Sequence, residues 1–307
     1  MPRIRWMVSL LVLAVGCGGA SAGSGPGTRD ATAAVTCRPV DTSTPLAVTR
    51  AEGPDVVVHT LTAPANSAWV TSHIIETPNR LILIDAQLYR GYAQALRRYV
   101  DGLDKPLDRV VITHGHPDHY LGLEFFPDAP HYALPETQAD IRQRQRFHIR
   151  MHRVGEAECD AVAERAVIPE HAMEEGPYTL DGVRVEFERA YNAEDNDQLV
   201  VRVPTAGVLI LQDLVAHDVH AWTATGMIPH WIEVLRGYED EADVRHVLAG
   251  HGAPGGPEVI REMIGYLERA QPIHEAELQP DAFRQAFQTE WPSYDMYIIN
   301  LMAATLE

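Results

Sequence analysis

The sequence predicts an α/β fold in which two similar units pack sheet against sheet. Three observations carry this. Apolar runs of strand length are separated by turn-forming residues, longer stretches with apolar residues at helical spacing follow them, and the second half of the chain repeats the order of the first. The chain has 307 residues, 46% hydrophobic and 22% charged, which suits one large domain with a short appendage.

Residues 1–16 read as an export signal. Arg3 and Arg5 form a positive start, and Trp6 to Val15 form an apolar run too short to span a bilayer. Ala14-Val15-Gly16-Cys17 resembles the bacterial lipobox, in which the cysteine is diacylated and becomes the new N-terminus. Ala14 departs from the usual Leu or Val there, and plain secretion is the alternative. Residues 17–45, rich in Gly, Ser, Thr and Pro, read as a flexible tether. The expected location is the bacterial cell envelope, lipid-anchored and facing the periplasm or the outside. Losing Arg3 and Arg5 with the signal moves the formal charge from −18 to −20. So acidic a protein is a poor nucleic-acid or anionic-membrane binder, which leaves the lipid as its expected membrane contact. With Cys17 lipidated, Cys37 and Cys159 remain as a pair. A disulfide and two separate buried thiols are both open readings.

The folded region starts near Leu46. Val56-Val57-Val58, Ala68-Trp69-Val70 and Leu81-Ile82-Leu83-Ile84 are strand-like, the last ending in Asp85. Residues 92–103 carry helical spacing, and Val110-Val111-Ile112 is a buried strand. In the second half, strands are expected at 183–187, 199–203 and 208–211, then Asp213, an amphipathic stretch at 231–235, and a strand at Val247-Leu248. In both halves a strand delivers an aspartate, a helix follows, and a later strand delivers a histidine: Asp85 then His114, Asp213 then His251. Residues 135–174 form a charged, helical insert, 257–270 a helix with Pro in its first turn, and 281–306 closing helices broken near Pro292.

Thr113-His114-Gly115-His116-Pro117-Asp118-His119 directly follows a buried strand and packs four metal-competent side chains into six positions. His114 and His116, two apart, project to one side of extended chain. Pro117 starts a turn that swings Asp118 and His119 toward a second point, so one loop can serve two metals.

These residues resemble the metallo-β-lactamase superfamily, and the resemblance covers residues 46–270. It implies a four-layer αββα sandwich, with residues 135–174 as a helical insert and 271–307 as a C-terminal helical cap. It implies that His114 and His116 hold a first metal and Asp118 and His119 a second, with Asp213 bridging both and His251 completing the second site. Leu211-Gln212-Asp213-Leu214 and Ala249-Gly250-His251-Gly252 fit the later motifs, although Gln212 stands where glycine is common.

One departure matters. The family's third histidine for the first metal falls here on Glu194, within Asn192-Ala193-Glu194-Asp195-Asn196-Asp197. A carboxylate ligates zinc, so Glu194 is the replacement ligand, with Asp195 and Asp197 as fallbacks and an incomplete first site as the alternative. Its charge weakens Lewis acidity and makes iron or manganese more competitive against zinc. Two divalent ions, zinc first, are expected. His217 and His220, just after Asp213, are candidates to support a ligand or touch substrate, and His217 or His230 to supply the absent imidazole. Ordinary loop histidines are the plainer reading of each. Arg142, Arg144, Arg146, Arg150 and Arg153, with His148 and His152, suggest a lid helix that attracts anions; a solvated charged face is the plainer reading.

The resemblance implies a metal-dependent hydrolase acting on a small molecule. A metal-bound hydroxide, oriented by Asp118, attacks an ester, thioester, lactone or amide. β-Lactamase activity is the less favoured form, because Glu194 departs from a three-histidine site. The alternatives are a mononuclear iron sulfur dioxygenase and a non-catalytic envelope protein that binds metal or ligand.

Overall fold

An unbroken apolar run such as Leu81-Ile82-Leu83-Ile84 suits a strand covered on both faces. The computed structural model describes residues 40–153, 161–224 and 227–306, and in it this run is β4 (Leu81–Ile84). Leu81 and Leu83 enter one apolar core, while Ile82 and Ile84 enter another. The same alternation divides Val110 from Val111, and Leu209 and Leu211 from Val208 and Ile210. Two sheets therefore share a central core, and each is covered outside by helices, giving the four layers αββα.

The first sheet has the order β1-β2-β3-β4-β5-β6-β7: β1 (Ala47–Gly53), β2 (Val56–Thr62), β3 (Thr71–Glu76), β4, β5 (Leu107–Val111), β6 (His131–Ala133) and β7 (His171–Ala172). The second has the order β12-β11-β10-β9-β8: β8 (Gly176–Leu180), β9 (Val183–Tyr191), β10 (Asp197–Val203), β11 (Val208–His217) and β12 (His246–Gly252). Helix α1 (Arg90–Gly102) joins the parallel pair β4 and β5, burying Tyr92, Ala93, Leu96 and Val100 against the first sheet. Helix α4 (Ile228–Arg236) does the same for the parallel pair β11 and β12. Between them come the single turn α2 (Pro117–Tyr120) and α3 (Pro135–Arg153). Helices α5 (Glu258–Glu275), α6 (Pro280–Glu290) and α7 (Tyr297–Ala304) pack through Leu267, Phe287 and Met302 into the core around Trp231.

The structure corrects the sequence reading in two places. Ala68-Trp69-Val70 is not a strand: Ala68 and Trp69 have φ of 50° and 52°, and the chain turns there after a 3-10 segment at Ala65–Ser67. The insert at 135–174 is not helical throughout: α3 covers Pro135–Arg153, and β7 at its far end belongs to the first sheet. The export signal, most of the tether, Cys17, Cys37 and Cys159 lie outside the described residues.

Trp231 is fully buried, and its Nε1 donates to the Leu214 carbonyl at 2.9 Å, tying α4 to the strand that carries Asp213. Trp231→Ala is expected to cost about 3–5 kcal/mol in denaturant unfolding. A loss below about 1 kcal/mol would mean that α4 contributes little to this layer.

Candidate metal centre

The C-terminal ends of β4, β5, β11 and β12 meet at one edge of the sandwich, where open α/β folds gather polar groups. His114 and His116 leave the end of β5, Asp118 and His119 sit in α2, and Glu194 lies in the β9–β10 loop. Asp213 stands in β11 and His251 in β12. A wide bulge aims Asp213: Gln212 pairs with Ala249 and Ala216 with His251, so residues 213–215 stand against Gly250 alone. A Cβ on Gly250 would fall 1.8 Å from Asp213 Oδ1, so the neighbouring strand needs glycine there.

Two sets of donors converge. His114, His116, Glu194 and Asp213 form one, and Asp118, His119 and His251 the other, with the atoms of each set within 4.8 Å of one another. Asp213, of the first set, also stands beside two members of the second. Its Oδ2 is 3.4 Å from His114 Nε2 and 3.4 Å from His251 Nε2, and its Oδ1 is 3.2 Å from His119 Nε2. His116 Nδ1 lies 3.3 Å from Glu194 Oε1, and Asp118 Oδ2 lies 3.4 Å from His251 Nε2. Two ligands of one tetrahedral zinc are roughly 3.3–3.5 Å apart. His114 Nε2, His119 Nε2, both Glu194 oxygens and Asp213 Oδ1 are buried without a hydrogen-bond partner, as donors reserved for cations would be. The residues present fit divalent metal ions, and the groups that could hold a metal include every ligand expected from the sequence.

The inner ring nitrogens are spoken for, which fixes the tautomers that leave the outer ones free. His119 Nδ1 donates to Asp85 Oδ2 at 2.8 Å and His251 Nδ1 to the Ala68 carbonyl at 2.7 Å. Thr113 Oγ1 donates to Asp85 at 2.7 Å and accepts from His114 Nδ1 at 3.0 Å. Asp85 is fully buried and also accepts from the Thr113 amide and from Gln212 Nε2. Gln212 explains its own departure from glycine. It keeps the left-handed backbone, φ 44°, while its amide oxygen accepts from His73 Nε2 at 3.2 Å. Burial holds His73 down to about 4, so this ring is neutral, with Thr60 donating to its Nδ1. The sequence reading noted Asp85 as half of an echo but gave it no role at the site, and it gave His73 and the Ala68 carbonyl none. The signal for Asp85 was its place at the end of a buried strand.

The other candidates stand apart. His217 Nδ1 donates to the Ala253 carbonyl at 2.7 Å, and His220 is buried beside Tyr266, 2.9 Å from its hydroxyl. His230 is exposed beside Glu233. None of the three joins the donor sets. Asp197 pairs with Arg189, and Asp195 faces Arg144 at 3.7 Å. On α3, Arg142, Arg146 and Arg150 are exposed, the plainer of their two readings. A cleft of about 790 Å³, counting its open mouth, leads from the centre between α3 and α7.

Without cations this cluster holds extra protons. Burial drives the Glu194 carboxyl well above its ordinary range. Burial opposes charge on His119 and His251, but Asp213 and Asp118 outweigh it and raise both rings. Metal binding must expel these protons, so zinc affinity is expected to climb as pH rises from about 6 to 8, measured by competition with a chelator. An affinity independent of pH would show that the centre is already deprotonated. Gly250→Ala is expected to displace Asp213 and lower metal content by at least one ion per chain in elemental analysis, with two retained ions arguing that Asp213 is not shared.

A sequence model described as the metallo-beta-lactamase superfamily matches residues 70–257, more than half of the chain. A metallo-beta-lactamase from Pontibacter korlensis is similar in structure, with TM-score 0.53 and 19% identity over 73% of this chain and 99% of that one. The metallo-beta-lactamase FIM-1 from Pseudomonas aeruginosa, in a mono-zinc form, gives TM-score 0.53 and 18% identity over 74% of this chain and 97% of that one. The uncharacterized protein YobT of Bacillus subtilis (strain 168) is 33% identical over 81 residues, 25% of this chain and 31% of that protein, so the match spans about a third of that relative. The chain belongs to the metallo-β-lactamase superfamily.

Proposed function

We propose that the protein is a metal-dependent hydrolase with two divalent ions, acting on the carbonyl of a small ester, thioester, lactone or amide. The observation that carries this is the place of Asp213, a member of the first donor set that also lies 3.2 Å from His119 and 3.4 Å from His251 of the second, among buried donor atoms several of which have no other partner. Ions held there supply Lewis acidity and lower the pKa of a water toward neutrality. His114, His116 and Glu194 would hold the first ion, Asp118, His119 and His251 the second, and Asp213 both. Zinc is the first choice, and the Glu194 carboxylate keeps iron and manganese in contention.

Asp118 is the residue we assign to proton handling. It lines the cleft with His116, and its side chain retains 18% exposure while Glu194 and Asp213 are nearly closed off. Burial opposes its ionisation, but His119 and His251 hold its carboxyl below the ordinary range, so it is an ionised acceptor at neutral pH. It can orient a water toward the carbonyl, take its proton and return that proton to the leaving group.

A second reading has its own observation. His114, His116 and Glu194 alone are a two-histidine, one-carboxylate set, the ligand type of non-haem iron oxygenases. The preassembled Asp118, His119 and His251 set favours the dinuclear hydrolase. Export and lipid attachment through Cys17 complete the reading, supported by the pattern of residues 1–17, and the acidity of the chain supports a small-molecule partner over nucleic acid. Among the described residues no helix is long and apolar enough to cross a membrane.

Elemental analysis with an ester and lactone panel tests the proposal. Two ions in the parent, about one in Glu194→Ala, and a fall of about 10²–10⁴-fold in kcat/KM for Asp118→Asn are expected. A single iron with oxygen consumption would replace the hydrolase by the oxygenase reading, and tight metal binding without turnover would point to a binding protein.

A further inference from the structure

Helix α7 has two apolar faces where a surface helix needs one. Ile299, Met302 and Ala303 are buried in the core, whereas Tyr297, Ile298 and Leu301 are half-buried and line the cleft that leads to the centre. Leu88 and Trp222 continue this apolar lining, and Trp222 stands edge-to-face with His116 at 6.3 Å between ring centres.

On α3 the apolar Phe147 and Met151 also line the cleft, together with three polar side chains. Arg144, His148 and His152 lie one helical turn apart on α3, and all three line the cleft. Arg144 is the one guanidinium or ammonium among the described lining residues, and it is paired with Asp140 and lies 3.7 Å from Asp195. Burial holds His148 near 3 and lowers His152, so both rings are neutral. His148 Nδ1 accepts from the Tyr120 hydroxyl at 2.9 Å, and His152 Nε2 is buried without a partner. The cleft thus offers apolar contact from both α7 and α3, hydrogen-bonding groups at the α3 histidines, and no unpaired guanidinium or ammonium among its described lining residues for an anionic group.

Resting on the hydrolase reading, we propose that the substrate is an uncharged ester or lactone whose apolar acyl chain lies against Ile298 and Leu301 of α7, with its polar atoms toward the α3 histidines. Hydrolysis adds water across the acyl C–O bond. The acyl carbon gains the hydroxyl oxygen, the C–O bond to the alcohol breaks, and the proton passes through Asp118 to the departing oxygen. An ester gives a carboxylic acid and an alcohol, a lactone gives a single hydroxy acid, and no oxidant or reductant is needed.

The test uses p-nitrophenyl acetate, butyrate, hexanoate and octanoate with the metal-loaded full chain. Each methylene fully buried is expected to raise kcat/KM about three- to fourfold, giving at least about 30-fold from acetate to hexanoate. Mono-p-nitrophenyl adipate, as long as hexanoate but ending in a carboxylate, is expected to be at least about tenfold poorer than hexanoate. Leu301→Ala should flatten the chain-length slope, and Leu301→Lys should shift the adipate-to-hexanoate ratio toward adipate. Turnover that is flat with chain length, or better with adipate, overturns the inference and leaves the hydrolase reading standing. If no ester is cleaved, calorimetry with methyl ketones of increasing length reads the cleft directly. Tightening with length then supports the apolar wall while the hydrolase reading falls, and no binding at any length overturns both.

Discussion

Three carboxylates, Glu194, Asp118 and Asp213, are brought together with four histidines at the closed edge of a sandwich, and the fold around them depends on that concentration of charge. Buried anions at this spacing repel one another, and protonated imidazoles only partly relieve the repulsion. Divalent cations held among these donors would relieve it, because each carboxylate would then face a positive centre. The same clustering that destabilises an empty site makes a loaded one bind tightly.

Precision comes from strands used twice. The β4-α1-β5 and β11-α4-β12 units each deliver an aspartate and then a histidine, and they meet where Gln212 Nε2 donates to Asp85. Both residues hold left-handed backbone, φ 59° for Asp85 and 44° for Gln212, a conformation that costs on the order of 1 kcal/mol or more for each. Asp85 recovers this through donors on all sides, and Gln212 through His73 and Asp85. The strain therefore sits directly behind His119, where a ring displaced by an ångström would lose its metal.

Much of this was legible in the residues, and the parts that were not share a physical cause. The motif from His114 to His119 was readable because its chemistry is local in the chain, and Asp213 and His251 because they follow short apolar runs, which the structure extends into β11 and β12 through both residues. Glu194 was legible only by its distance from Asp213, since a polar loop has no periodicity to read. His217 and His220 drew attention by nearness in sequence, but β11 runs on to His217 and carries both away from the centre. Ala68-Trp69-Val70 looked like a strand by composition, yet its role lies in two carbonyls: Ala68 accepts from His251 Nδ1 and Trp69 from the Gly252 amide. Backbone acceptors leave no trace in side-chain pattern. Strands β1, β3 and β8 were missed for a related reason, because their polar and exposed positions dilute the apolar runs on which strand reading relies.

Glu194 links the centre to the cleft. A third imidazole in its place would be neutral, and the first ion would keep more of its charge for polarising a carbonyl. With a carboxylate there, on the proposed hydrolase reading, the ion would be a weaker Lewis acid, and substrate binding would supply more of the rate by holding the carbonyl in place. The cleft is built for that division of labour. Its second α7 face and the Phe147 and Met151 side chains of α3 would give binding contacts away from the reacting bond, and remote contacts of this kind are what position a substrate whose electrophile is only modestly activated. A neutral apolar substrate suits both features, since an anion would meet the negative charge that Glu194 adds and find Arg144 already paired.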